Sequence, residues 1–166
     1  MGLLETHGRG CRAFRRDALN GPAPPVFVVH SLTHAIAALE AAAAAEHEII
    51  LISAPDAGIY AGPGWFRAVV DGAYAAAPAA KFSAVLDCGD DAGAAQGAIR
   101  AGVEAVIFTG RADVAERLAG IATAKKARLL TARPEALLDL GRWFFADAET
   151  LRRKCADVLA SPKSIC

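Results

Sequence analysis

Four side chains able to do chemistry close short apolar runs. Ser53 ends EIILIS, Asp87 and Cys88 end KFSAVLDC, and Thr109 ends VEAVIFT, with Gly110 behind it. A carboxylate so placed can trade a proton with a substrate, which makes Asp87 the candidate catalytic residue. The hydroxyls of Ser53 and Thr109 can hold a ligand oxygen, and Gly110 lets a ligand approach the backbone. Cys88 precedes a helix start, where a thiol can be activated or can bind a soft metal. No histidine adjoins it in sequence to serve as base, so an inert thiol in a tight turn is the plainer reading. His30 follows a further apolar run and joins the candidate ligand-binding set. Gly58, Gly62 and Gly64 fit neither G-x-G-x-x-G nor a P-loop. Gly62 is therefore expected in a long loop, either a lid over a small-molecule pocket or a plain connection. A Schiff-base lysine is not in place: Lys81 opens its strand, and Lys125 and Lys126 stand near a helix end.

The elements that must position these residues alternate. Pro24 and Pro25 hold the chain extended before a first strand at 26–31. A helix-forming stretch runs to Glu46, with Thr33 as its cap. The second strand spans 48–54, and the loop PDAGIYAGPG leads to a helix that begins at Trp65 and stops at Pro78. The third strand spans 81–87, and CGDDAG turns into a helix with Gly102 at its C-terminus. A fourth strand and helix follow, then the strand RLLTARP and a short fifth helix with Pro134 in its first turn. The runs are continuously apolar rather than alternating, as in parallel strands covered on both faces. Right-handed crossovers bring all the strand C-termini to one edge. The reading is an α/β fold of about five parallel strand–helix units, arranged as a half TIM barrel or as a flavodoxin-like three-layer α/β/α sandwich. The sandwich, partly covered by the tail helix, is favoured, because half a barrel leaves one side of its sheet unpaired. Residues 1–25 are an N-terminal extension and 26–141 the α/β domain. Residues 142–166 hold an amphipathic helix with Trp143, Phe144, Leu151, Val158 and Leu159 on its apolar side. That helix either covers a flank of the domain or makes a homodimer contact.

At 166 residues the chain is long enough for a real core but short of the roughly 250 residues of a complete eight-unit barrel. Lys+Arg and Asp+Glu both number 18, so no net field draws nucleic acid or an anionic membrane. No apolar run spans a bilayer, and the N-terminus has no signal core. Four scattered cysteines, Cys11, Cys88, Cys155 and Cys166, are expected as reduced thiols in a cytoplasmic protein.

Two stretches carry a family likeness. ILISAPDAGIYAGPGWFRAVVDGAYAAA and AVLDCGDDAGAAQGAIRAGVEAVIFTG resemble the second, third and fourth strand–helix units of the class II, zinc-dependent fructose-bisphosphate and tagatose-bisphosphate aldolases. The shared points are the serine ending a strand, the Tyr-Ala-Gly loop, the Leu-Asp-x-Gly turn and the Ala-Ile-x-Ala-Gly helix end. The likeness covers 26–110, the first half of the family's barrel. It implies that Asp87 matches the proton-exchanging aspartate and Ser53 a substrate-holding serine. The family's histidine after that aspartate, a zinc ligand, is Cys88 here. The family's later histidines have no counterpart, since His7, His30, His34 and His47 all precede Asp87. The later phosphate-binding glycine loop and the Asn-x-Asp-Thr-Asp segment are missing too. A catalytic zinc takes about three protein ligands, so no cofactor is expected, with zinc through Cys88, Asp87 and His30 as the alternative. Asp87, Thr109 and Arg133-Pro134 also resemble the order of residues in phospho-acceptor receiver domains, but His30-Ser31 stand where receivers keep an acidic pair. The expected function is an aldolase-like domain without aldolase activity, binding a small metabolite, phosphorylated or not, or a protein partner at the strand C-terminal edge. The alternative is an active metal-dependent carbon–carbon lyase with Asp87 as acid/base.

Overall fold

The computed structural model describes residues 23–161. The sequence expectations about the N-terminal extension up to residue 22, His7, Cys11 and Cys166 lie outside the described residues. The strands are β1 (Val26–Val29), β2 (Glu48–Ser53), β3 (Lys81–Asp87), β4 (Ala105–Ile107), β5 (Arg128–Leu130) and β6 (Leu138–Asp139). The helices are α1 (Leu32–Ala44), α2 (Ala57–Tyr60), α3 (Gly62–Ala76), α4 (Ala92–Arg100), α5 (Ala112–Ala124) and α6 (Ala148–Ala160), with a 3-10 turn at Leu140–Trp143.

All six strands form one parallel sheet in the order β5-β4-β3-β2-β1-β6. The α/β class of parallel strand–helix units is the expected one. The strand order separates its two arrangements. A flavodoxin-like sheet runs 2-1-3-4-5, whereas here each of the first five strands lies beside its predecessor, as around a barrel wall. Right-handed crossovers between successive neighbours keep their helices on one face. The core agrees. Phe27, Val29, Ile49 and Leu51 pack with α1, α3 and α6, while Leu86, Val106 and Phe108 pack with α4 and α5. The alternate side chains Val26, Val28, Ile52, Val85, Ala105 and Ile107 form a third cluster on the opposite face, which contains no helix residue. Both faces of the strands are thus dry, which is why their sequences read as unbroken apolar runs.

Local chemistry explains most element ends. Ser31, extended at φ −157°, caps α1 by accepting the His34 N–H at 3.2 Å. Thr33, expected as the cap, lies inside the helix. Asp91 caps α4 through Ala94 N–H at 2.8 Å, and Gly102 leaves that helix at φ +82°. Asp147 caps α6 through Thr150 N–H. The loop expected at PDAGIYAGPG is instead helical. Asp56 turns the chain at φ +59°, α2 makes a single turn, and α3 starts at Gly62 with Pro63 in its first turn, where a missing N–H costs nothing. The fifth helix expected after Pro134 is also absent. Leu138–Asp139 pair with Phe27 and Val28 instead, because the edge of β1 offers ladder partners and an eight-residue helix has little stability of its own. The C-terminal helix begins only at Ala148, so Trp143 and Phe144 belong to the turn before it. Leu151 and Cys155 of α6 are fully buried against α1, and Arg152 bridges Glu40 and Glu149.

Candidate functional site

The register places the ends of β2, β3, β4 and β5 at one level. Val29 pairs with Ser53, Ile52 with Val85, Asp87 with Ile107, and Ile107 with Leu130. Between β2 and β3 the paired register ends at Val85, and beyond it Ser53 takes over with its side chain. The buried Ser53 Oγ accepts the Asp87 N–H at 2.9 Å and donates to the Ala54 carbonyl at 3.0 Å. It replaces a lost ladder bond just where the strands part. Ser53→Ala would leave the buried Asp87 N–H unpaired, and the expected cost is about 1–3 kcal/mol in urea unfolding. A loss below about 0.5 kcal/mol would show that the hydroxyl has no such part.

Asp87 is the hub of the edge. It is 4% exposed, and its Oδ1 accepts from Gly89 N–H at 2.8 Å and Asp56 N–H at 3.3 Å. Its Oδ2 is ion-paired with Arg133 Nη1, while Arg133 Nη2 donates to the Ser53 carbonyl at 2.8 Å. Arg133 stands in the segment 131–137, which carries the chain from the β5 edge to β6. One guanidinium thus ties together the ends of β2, β3 and that segment. Tyr60, two-thirds exposed on α2, lies close enough to sense these charges. Partial burial raises its phenol pKa, the Asp56 and Asp87 carboxylates raise it further, and Arg133 partly offsets them.

Cys88 points away from this hub. Successive side chains of a strand face opposite sides, so Asp87 follows Val85 to the helix-free face while Cys88 follows Leu86 among Ala57, Phe66 and Ala95. It is fully buried, and desolvation, with Asp87 and Asp91 nearby, pushes its pKa up to about 12. The helix start expected to activate it is outweighed. Cys88 also sits against Gly58: a methyl on Gly58 would collide with the sulfur and approach the Asp87 carbonyl oxygen to 3.0 Å. Gly58→Ala is expected to cost about 1–3 kcal/mol, because backbone as well as side chain must shift. Chemical denaturation reads this directly, and an unchanged midpoint would place α2 further from the β3 turn.

The remaining sequence candidates divide. His30 Nε2 meets Asp139 Oδ1 at 2.7 Å at the end of β6. Burial alone would raise the Asp139 pKa, but the Gly141 N–H, His30 and Arg133 together hold it below its ordinary value. The His30 N–H in turn donates to Nδ1 of the buried His34 at 3.2 Å. Burial, reinforced by His30, lowers the His34 pKa. Thr109 is exposed, and its N–H donates to the Gly89 carbonyl at 2.7 Å. Gly110 packs so tightly on the Phe108 ring that a side chain there would clash. A side chain at Gly62 would meet nothing within 4 Å, so it is the backbone, at φ +80°, that calls for glycine there. Ser53 and Asp87 are brought together, Thr109 and Gly110 adjoin the Gly89–Asp90 turn, and His30 is engaged with Asp139. Among the described residues no three His, Cys, Asp or Glu side chains converge to hold a metal. The donors imagined for zinc do not fit it: β1 and β3 are separated by β2, and Cys88 lies on the other face from Asp87. Asp56 and Asp139 also meet residues of this edge, and the sequence did not single them out, whereas Tyr60 entered only as part of the Tyr-Ala-Gly loop.

Comparison with solved structures places this geometry. A putative fructose-1,6-biphosphate aldolase from Coccidioides immitis superposes with a TM-score of 0.54 at 18% identity, over 64% of this chain and 40% of that one. The fold is aldolase-like. This chain therefore spans well under half the length of that aldolase. No protein-family model and no curated protein matches the sequence. The Ser53–Asp87–Arg133 hub lies at the strand C-terminal edge of this sheet.

Proposed function

We propose that this aldolase-like domain binds a small anionic metabolite at the C-terminal edge of its sheet, and that it does not cleave aldols. The observation that carries this reading is the engagement of Asp87. Both of its oxygens are occupied, by Gly89, Asp56 and Arg133. A carboxylate locked this way organises the edge instead of shuttling protons. Arg133 spends one N–H on Asp87 and one on the Ser53 carbonyl, which leaves donors of its planar fork for a ligand phosphate or carboxylate. A quarter of its side chain is open to solvent, enough for such a ligand to reach it. Tyr60, exposed on α2, stands near the same charges. The likeness to aldolases suggests sugar phosphates as the first compounds to try.

The test is a thermal-shift and calorimetric titration of the full chain with inorganic phosphate and with dihydroxyacetone phosphate. Saturation at a hundred times Kd stabilises the native state by about 2.7 kcal/mol. Arg133→Lys, which keeps the charge but loses the fork, is expected to weaken binding about tenfold or more. No shift with either compound, or equal binding by the variant, overturns the proposal. Stoichiometric zinc lost on Cys88→Ser, together with cleavage of fructose 1,6-bisphosphate, would establish the lyase reading instead.

A further inference from the structure

His34 takes no part in the Asp87 hub, and it is fully buried. Ser31 caps α1, so His34 stands in the first helical turn, its own N–H donating to the Ser31 hydroxyl oxygen. Its Nδ1 accepts the His30 N–H at 3.2 Å, so the neutral ring carries its proton on Nε2. That Nε2 has no hydrogen-bond partner among the described residues, although the Trp143 backbone stands close enough to favour its proton.

A second proton would have to enter at Nδ1, the atom that already accepts from His30. It would set two N–H groups against each other. The new charge would also sit at the positive end of the α1 dipole, and the first turn of α1 holds no acidic residue to offset it. The neighbouring charges give little help. His30, at the end of β1, opposes a proton on His34, and Asp139, at the end of β6, favours one. Asp139 is already shared between His30 Nε2 and the Gly141 N–H. From α6, Lys154 lies over the Trp143 ring at 5.7 Å, and Arg152 is bound to Glu40 and Glu149. Arg67 and Asp71 of α3 face α4.

The cover over the ring is loosely held. Phe144 meets it edge to face, with ring centroids 5.6 Å apart and planes at 82°, yet Phe144 is 48% exposed and Phe145 beside it 97%. Swinging Phe144 outward forfeits little buried area and admits water to the imidazole. Leu140 and Leu151, both fully buried, anchor the chain on either side, so the domain need not unfold for this to happen.

We propose that His34 is an acid-sensitive latch, whose protonation lifts Phe144 off the ring and releases the turn 144–147 from the start of α1. Burial, reinforced by His30, holds the His34 pKa below its ordinary 6.5 while the turn is closed. The closed turn then binds fewer protons than the open one, and opening is favoured as pH falls through 6.5. From pH 7.5 to 5.5 the opening constant is expected to rise about five- to tenfold.

Amide hydrogen exchange of the full chain, corrected for the intrinsic rate at each pH, tests this. The amides to read are Phe144 and Ala146, which donate to the Gly141 and Trp143 carbonyls in the closed turn. The amides of β3 set the level of global unfolding and should not share the rise. His34→Asn keeps an acceptor for the His30 N–H but cannot titrate, and should abolish the rise. His30→Gln should retain it. An NMR titration of the His34 ring reads the same event without any substitution, and should give an apparent pKa below 6.5. A rise under about twofold overturns the proposal, as does an equal rise in β3. So does a rise that survives His34→Asn or vanishes with His30→Gln, or a His34 ring that titrates at or above 6.5.

Discussion

Arg133→Met is expected to lower the unfolding free energy by about 3 kcal/mol, the lower end of the range for breaking a buried ion pair by removing one partner. The lower end applies because about a quarter of the Arg133 side chain reaches solvent. Asp87 is left 4% exposed with Oδ2 uncompensated, and the Ser53 carbonyl loses its donor. For a chain of this size each kcal/mol moves the melting temperature by about 2–4 °C, so the midpoint should fall by about 6–12 °C. The second half of the test is a cycle with Asp87→Asn. The amide keeps an acceptor toward Gly89 and Asp56 but carries no charge to strand. The Arg133→Met/Asp87→Asn double variant should therefore be more stable than the sum of the single losses by at least about 1 kcal/mol. Strict additivity, or a shift under about 2 °C for Arg133→Met, would remove the ion pair from its central place at the edge.

Cys88 is expected to be almost unreactive toward iodoacetamide in the native protein, and Cys155 likewise. Burial lifts each pKa from 9.0 to about 12, a gap of about three units. The thiolate fraction at pH 8 is then about a thousandfold lower than in the unfolded chain, before access is counted. Peptide mass spectrometry over time, native against guanidinium-unfolded, measures the ratio. Native labelling of Cys88 within tenfold of the unfolded rate would restore a reactive or metal-binding thiol. The same shifts give stability a pH dependence of definite sign. Below about pH 9 the thiols are neutral in both states and their burial is harmless. Between about pH 9 and 12 the unfolded thiols ionise while the native ones hold their protons. Stability then falls by about 1.4 kcal/mol per pH unit for each of the two. Urea midpoints at pH 8, 9 and 10 report it, and Cys88→Ala should remove about half of this slope.

The class of fold was legible because it rests on composition over long windows. Each strand was an unbroken apolar run, and burial on both faces of the sheet is the cause of that pattern. What failed was local and short. PDAGIYAGPG carries glycine and proline in the density of a loop, yet Pro63 suits a helix's first turn and Gly58 is demanded by contact with Cys88. β6 has two residues and no signature of its own; only the waiting edge of β1 defines it. The choice between barrel order and sandwich depends on strand neighbours, which period and propensity do not encode. The site was half legible. Ser53 and Asp87 sit where strand ends predict them. Their third partner arrives from a segment eighty residues beyond Ser53, and Arg133 entered the sequence reading only through a receiver-like order. Cys88 was misplaced by one step of strand alternation, which turns a side chain from the ligand edge into the core.

The pairing of β6 with β1 joins residues about 110 positions apart, Phe27 with Leu138, whereas β2 to β5 each lie beside the strand made just before. This sets an order in time. As the chain leaves the ribosome, each of those strands finds its neighbour already present. The far edge of β1 and the flank of α1 must wait, since their covers, β6 and α6, come after the other described elements in the chain. Until β6 and α6 emerge, β1 carries an unpaired edge and α1 an uncovered apolar face, the features that recruit chaperones or another nascent chain. Among the described strands, the contacts that seal β1 therefore have the largest sequence separation and are the slowest to form.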